Sequence, residues 1–78
     1  MTRSQLEPAL ADFAEAVRID PKYIQAWNNR GLVLLATGDF QTAIDDFNKA
    51  CEIDPTYADG FNNRGFAWFK MDDYDRAR

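Results

Sequence analysis

The stretch IDPKYIQAWNNRG at residues 19–31 returns as IDPTYADGFNNRG at residues 53–65, at an offset of 34 residues. The same offset continues on both sides of these stretches, where for example Asp12 aligns with Asp46. Self-similarity at one fixed offset is the sequence signature of a repeat array. We therefore expect the chain to be built from stacked copies of one structural unit.

Each unit contains two amphipathic segments. Apolar residues recur at helical spacing before and after the Gly38-Asp39 pair, which predicts two helices joined by a tight turn. Gly38 is expected to take the left-handed conformation that ends the first helix, and Asp39 to cap the second. Asp20-Pro21 and Asp54-Pro55 should each stop a helix, because a residue before proline avoids the helical region.

These signals predict an all-α chain. The helices are expected over about residues 4–19, 24–37, 40–53 and 58–71, and a further helix should start at Tyr74. No strand is expected.

Residues 24–57 resemble one complete tetratricopeptide repeat (TPR), a 34-residue helix-turn-helix unit. The positions that carry the resemblance are Trp27, Gly31, Gly38, Phe40, Ala43, Phe47, Ala50 and Pro55. Residues 4–23 resemble the second half of a repeat, and residues 58–78 resemble the first half and the start of the second helix. Residues 1–78 then form a single array.

The resemblance implies an α-solenoid, a right-handed superhelical stack of antiparallel helix pairs. Its helices should follow in the order second, first, second and first helix of a repeat. The sequence departs from the family pattern at Arg30 and Arg64, where leucine is frequent, and at Asp72, where glycine is usual.

Composition limits the classes of partner. The chain has one cysteine, no histidine and a formal net charge of −4, so we expect no internal disulfide, no zinc site and no nucleic-acid partner. The longest apolar run, residues 31–36, is far shorter than the roughly 18–20 residues of a membrane helix, so no membrane partner is expected. No secretory signal is recognisable at the start, and the expected location is the cytoplasm.

The residues offer little for catalysis. The acidic pairs Asp45-Asp46 and Asp72-Asp73 are expected to be structural or solvated, and Cys51 to lie in the apolar core as an inert thiol. With no histidine and no glycine-rich phosphate loop, we expect no catalytic residue, no cofactor and no metal, and therefore no enzyme.

Arg30 and Arg64 are expected to lie partly inside the stack, where a guanidinium needs a carboxylate. The favoured pairing joins each arginine to the preceding unit, Arg30 with Asp12 and Arg64 with Asp46. A pairing within one repeat would join Arg30 to Asp46 and leave Arg64 without a partner. A functional alternative is that the arginines bind an acidic peptide end.

The resemblance also implies a peptide-binding groove along the first helices of the repeats. Asn29 and Asn63 would form an asparagine ladder that suits a peptide backbone, because a carboxamide both donates and accepts. The alternative is that Asn28 and Asn62 merely solvate their helices. A clamp for carboxylate termini is not expected, because the positions that would carry lysine or arginine are amides and an acid. The implied groove residues are Gln25, Asn28, Asn29, Leu32, Leu35, Ala36, Asp59, Asn62, Asn63, Phe66, Phe69 and Lys70.

The two incomplete units predict self-association, since an exposed aromatic face favours burial against another chain. The last first-type helix of one chain and the first helix of another would together complete a repeat, as an open superhelix, a ring or a domain-swapped two-fold dimer. The residues implied are Leu6, Leu10, Phe13, Phe66, Trp68 and Phe69.

Two functions follow from these features. The first is a protein-protein interaction module that binds a peptide or protein on its concave face. The second is a self-assembly element without a peptide ligand, whose homo-oligomer forms through the incomplete units.

Overall fold

Four helices make up the structure, a computed structural model that describes the backbone of residues 3–77 and the side chains of residues 7–77. They are α1 (Arg3–Ile19), α2 (Ile24–Thr37), α3 (Phe40–Ile53) and α4 (Ala58–Ala77). Residues 3–77 contain no strand. Short connections make successive helices pack as antiparallel neighbours, and α2 also contacts α4. The all-α helical-repeat fold is confirmed, as are the bounds of α2 and α3.

The two Asp-Pro turns have the same geometry. The Asp20 carboxylate accepts the Lys22 backbone N–H at 3.1 Å, and the Asp54 carboxylate accepts that of Thr56 at 2.9 Å. Each aspartate carbonyl also accepts a backbone N–H three residues later, at 3.0 Å in both turns. The repeat in sequence is therefore also a repeat in the local structure of the two turns.

The turn between α2 and α3 depends on Gly38, which has a φ of +86°. The next residue, Asp39, donates its backbone N–H to the Leu34 carbonyl at 2.9 Å, which completes the hydrogen bonding at the end of α2. Asp39 stands directly before α3, but its carboxylate accepts a hydrogen bond from the Thr37 hydroxyl at 2.8 Å instead of capping α3. The predicted side-chain cap at Asp39 is therefore wrong.

The expected break near Asp72 is also wrong, because α4 runs uninterrupted from Ala58 to Ala77. Asp72 occupies the position that Gly38 has in the complete repeat. A left-handed conformation costs a residue with a Cβ about 1–2 kcal/mol, so the helix continues where glycine would have ended it. Tyr74 therefore starts no new helix, and its ring instead meets Phe40 edge-on, with ring centroids 5.8 Å apart.

The core lies around α3, which packs between α2 and α4. Phe47 and Ile44 are fully buried. The buried cluster consists of Leu34, Ala43, Ile44, Phe47 and Ala67, with Leu10, Leu35 and Met71 packed against it. Cys51, on the same helix α3, is also buried, as predicted.

Candidate protein-binding surface

The predicted groove residues lie along α2 and α4, and most of them are exposed. The apolar side chains Leu32 and Phe66 keep 41% and 50% of their area exposed. The Lys70 ammonium lies 5.3 Å from the centre of the Phe66 ring, so the surface carries one cation beside an aromatic face. The other exposed members are Gln25, Asn29, Ala36, Asp59, Asn62 and Phe69.

Asn63 and Asn28 join the two helices. The Asn63 amide donates from Nδ2 to Oδ1 of Asn28 at 3.0 Å. Asn28 is only 5% exposed, so the prediction that it lines the open groove is wrong, and so is the alternative that it solvates its helix. Its function in the fold is to hold Asn63, which is half-buried, at the junction of α2 and α4.

Arg30 forms a two-point contact with Asp46. Its Nε and Nη2 each donate to one carboxylate oxygen, both at 2.8 Å. The pKa of the Arg30 guanidinium is raised above its ordinary value, because the Asp46 carboxylate accepts these hydrogen bonds from the charged form. The guanidinium also lies over the Trp27 ring, 5.0 Å from its centre.

The favoured pairing of Arg30 with Asp12 is therefore wrong, and the pairing within one repeat is correct for Arg30. Asp46 projects from α3 towards α2, the first helix of its own repeat. Asp12 has the same repeat position on α1 and is exposed, because that position faces away from the following unit.

Arg64 does not pair with Asp46 either. Its Nη1 donates to Oδ1 of Asn48 at 2.9 Å, and its guanidinium lies 4.9 Å from the centre of the Phe61 ring. The within-repeat scheme was correct for Arg30, but its expectation that Arg64 would have no partner is wrong. Asn48 was not among the predicted partners, because Ala14 stands at the corresponding position of the preceding unit and no repeated polar residue marks this site. The stacking was detectable, since Trp27-Arg30 and Phe61-Arg64 repeat at a spacing of three residues.

The side of α4 that points away from α3 is aromatic and open. Trp68 is 51% exposed and Phe69 65%, whereas Leu34, which holds the position of Trp68 in α2, is 9% exposed. On α1, Phe13 is half-buried, and Leu10 packs against the chain's own core. The side chain of Leu6 lies outside the described residues.

The acidic pairs divide by burial. Asp46 is buried and paired with Arg30, while Asp45 is exposed and accepts a hydrogen bond from Gln41 at 3.2 Å. Asp72 forms an exposed ion pair with Arg76 at 3.2 Å. No cluster of three or more potential metal-binding side chains occurs in the described part of the chain. Within the same part, no helix is both long enough and apolar enough to cross a membrane.

Comparison with protein families identifies the repeat. Residues 24–57 match the model described as tetratricopeptide repeat, and residues 1–38 match a model described as TPR repeat. Together the two matches run from residue 1 to residue 57. A search of curated proteins found no match. The repeated Asp-Pro turns, the helix pairs and both family matches agree: this chain belongs to the tetratricopeptide repeat family, whose repeats generally mediate protein-protein interaction and are generally not enzymes.

Proposed function

We propose that the chain is an interaction module that binds an extended peptide segment of a partner protein along the exposed face of α2 and α4. The observation that carries this proposal is the Asn63-Asn28 bond, which holds these two helices side by side. Around it lie the exposed amide of Asn29 and the exposed apolar side chains of Leu32 and Phe66. Amides can bond to a peptide backbone, and apolar surface can take alternate side chains.

The charges of this surface favour a ligand without strong net charge. Lys70 is its cation and Asp59 its anion, while Arg30 is already bonded to Asp46 and Arg64 to Asn48. Binding of an acidic peptide end by Arg30 would have to break a two-point ion pair with a buried carboxylate. Both arginines are therefore engaged with side chains of α3, and the ligand is recognised by amides and apolar contacts.

The test is a screen of the purified chain on an array of synthetic extended peptides, followed by fluorescence anisotropy on the strongest binders. Asn29→Ala and Leu32→Ala change exposed side chains of the proposed surface, and each is expected to weaken binding by roughly tenfold. Thr42→Ala changes an exposed side chain of α3 and is the matched control. If the unsubstituted chain and all three variants bind with equal affinity, the binding site lies elsewhere.

A second function, self-association, is favoured by the open face of α4. Trp68 is more than half exposed at a repeat position where Leu34 is buried against α3. Light scattering over a concentration series should show a homo-oligomer that Trp68→Asp disrupts. A monomer mass at all concentrations would exclude this function and leave the peptide-binding proposal intact.

A further inference from the structure

One pair of contacts holds the complete repeat together at its centre. Arg30 on α2 bonds to Asp46 on α3, and the adjacent Gly31 receives the Phe47 ring. A Cβ placed on Gly31 would lie 2.5 Å from Cε1 of Phe47, so the ring packs directly on the α2 backbone. Two adjacent residues on each helix thus make this contact. On α2 they are the cation Arg30 and Gly31, whose lack of a side chain leaves room for a ring. On α3 they are the anion Asp46 and the ring of Phe47.

The same pair of residues recurs on α4, and there no described atom outside the helix itself packs against the glycine. Arg64 and Gly65 lie 34 residues after Arg30 and Gly31. The Arg64 guanidinium lies 4.9 Å from the centre of the Phe61 ring, just as that of Arg30 lies 5.0 Å from the centre of the Trp27 ring. A Cβ on Gly65, by contrast, would meet no atom within 4 Å. The α4 site therefore carries the same arginine and glycine as the α2 site, and no described side chain packs against Gly65.

The complementary pair recurs on α1. Asp12 and Phe13 lie 34 residues before Asp46 and Phe47. Asp12 is exposed and makes no hydrogen bond or ion pair with any described residue, and Phe13 is only half-buried. Because α1 and α4 make no contact through their described residues, the α1 pair cannot fill the α4 site of its own chain without rearrangement of the stack.

We propose that the occupant of the α4 site is α1 of a second copy of this chain, with Asp12 bonded to Arg64 and Phe13 seated on Gly65. This proposal rests on the self-association function and specifies its partner and register. Two observations favour a second copy of this chain as the occupant. Arg64 and Asp12 have opposite charges. On α2, the equivalent residues Arg30 and Gly31 already bind an Asp-Phe pair, Asp46 and Phe47. A carboxylate also binds a guanidinium more strongly than the Asn48 amide does. Each chain offers one α1 pair and one α4 site, which fits head-to-tail growth, a closed ring and a reciprocal two-fold dimer alike.

Reciprocal charge reversal tests the pairing on the 78-residue chain. Asp12→Arg and Arg64→Asp are each expected to weaken association by roughly tenfold or more in sedimentation velocity, because each places like charges at the junction. A mixture of these two variants should associate again, since every junction then joins a cation to an anion. Asp45→Arg makes the same charge change on an exposed face of α3 and should leave association unchanged.

Gly65→Ala tests the shape independently of charge. Replacing a helical glycine in open space should raise the midpoint of thermal unfolding of the dilute chain, yet a methyl group at this position would collide with the Phe13 ring of the second copy. Higher thermal stability together with weaker association supports the proposal, and circular dichroism checks that each variant is folded.

The outcomes separate the two levels of the proposal. A chain that oligomerises but is insensitive to Asp12→Arg and Gly65→Ala would overturn this register and leave self-association standing. The same holds if the mixed variants fail to associate. A chain that remains monomeric at all concentrations would overturn both this register and the self-association function.

Discussion

Arg30 and Asp46 form the central polar contact of the chain, with two hydrogen bonds of 2.8 Å between α2 and α3. The Asp46 side chain is 3% exposed and that of Arg30 23%. The carboxylate is thus nearly removed from water, and the Arg30 guanidinium balances its charge. The same guanidinium lies over Trp27, so one arginine links an ion pair to an aromatic side chain.

We expect Asp46→Asn to lower the free energy of unfolding by about 2 kcal/mol. Removing one partner of a fully buried ion pair costs about 3–5 kcal/mol. The expected loss is smaller here because Arg30 keeps contact with water. Urea unfolding followed by circular dichroism measures this. Asp45→Asn, one residue earlier and exposed, is the control and should change stability by less than about 0.5 kcal/mol. Equal effects of the two substitutions would mean that the ion pair contributes nothing.

Gly31→Ala and Gly65→Ala should act in opposite directions. The first puts a methyl group into the space of the Phe47 ring, and such overpacking costs about 1–3 kcal/mol. The second enters open space and should stabilise the helix by roughly 0.5–1 kcal/mol. Thermal unfolding at low protein concentration measures both. A shift of the same sign for both variants would contradict the close approach at Gly31.

Asn28→Ala and Asn62→Ala compare the same repeat position in two environments. Asn28 is buried and accepts the Asn63 amide, so its removal should cost about 1–2 kcal/mol, because the amide loses its partner between the helices. Asn62 is exposed and should change stability by less than about 0.5 kcal/mol. Chemical denaturation gives both values, and a costly Asn62→Ala would refute the assigned roles.

The Asp54 carboxyl should titrate below its ordinary pKa of 3.8, because the hydroxyl and then the backbone N–H of Thr56 donate to its charged form. A lowered pKa in the folded state stabilises the fold above the ordinary value, and this contribution is lost as the pH falls through the folded value. Thr56→Ala removes the hydroxyl, so the pKa should move back up towards 3.8. Carboxyl-carbon NMR across an acid titration measures the shift, with Thr42→Ala as a control that should leave it unchanged.

The repeat and the helix pairs could be predicted from the sequence because their signals are local. The Asp-Pro turns and the left-handed Gly38 act within a few residues, and the 34-residue offset aligns them without reference to distant contacts. The end of α4 was predicted wrongly for the same reason. The family pattern suggested a turn at Asp72, but the aspartate itself lacks the conformational freedom that a turn would need there.

The site residues were predicted less well, because helical periodicity identifies the face of a helix and not its neighbour. Asp12 and Asp46 are equivalent by repeat position, and Asn28 and Asn62 are equivalent too. The sequence by itself determined the family, the all-α stack and the bounds of α2 and α3. Only the tertiary structure decided that Asp46 reaches Arg30, that Asn28 is buried and that Gly65 is open. These properties depend on which helix lies across from each residue, and that is set by the packing of whole helices.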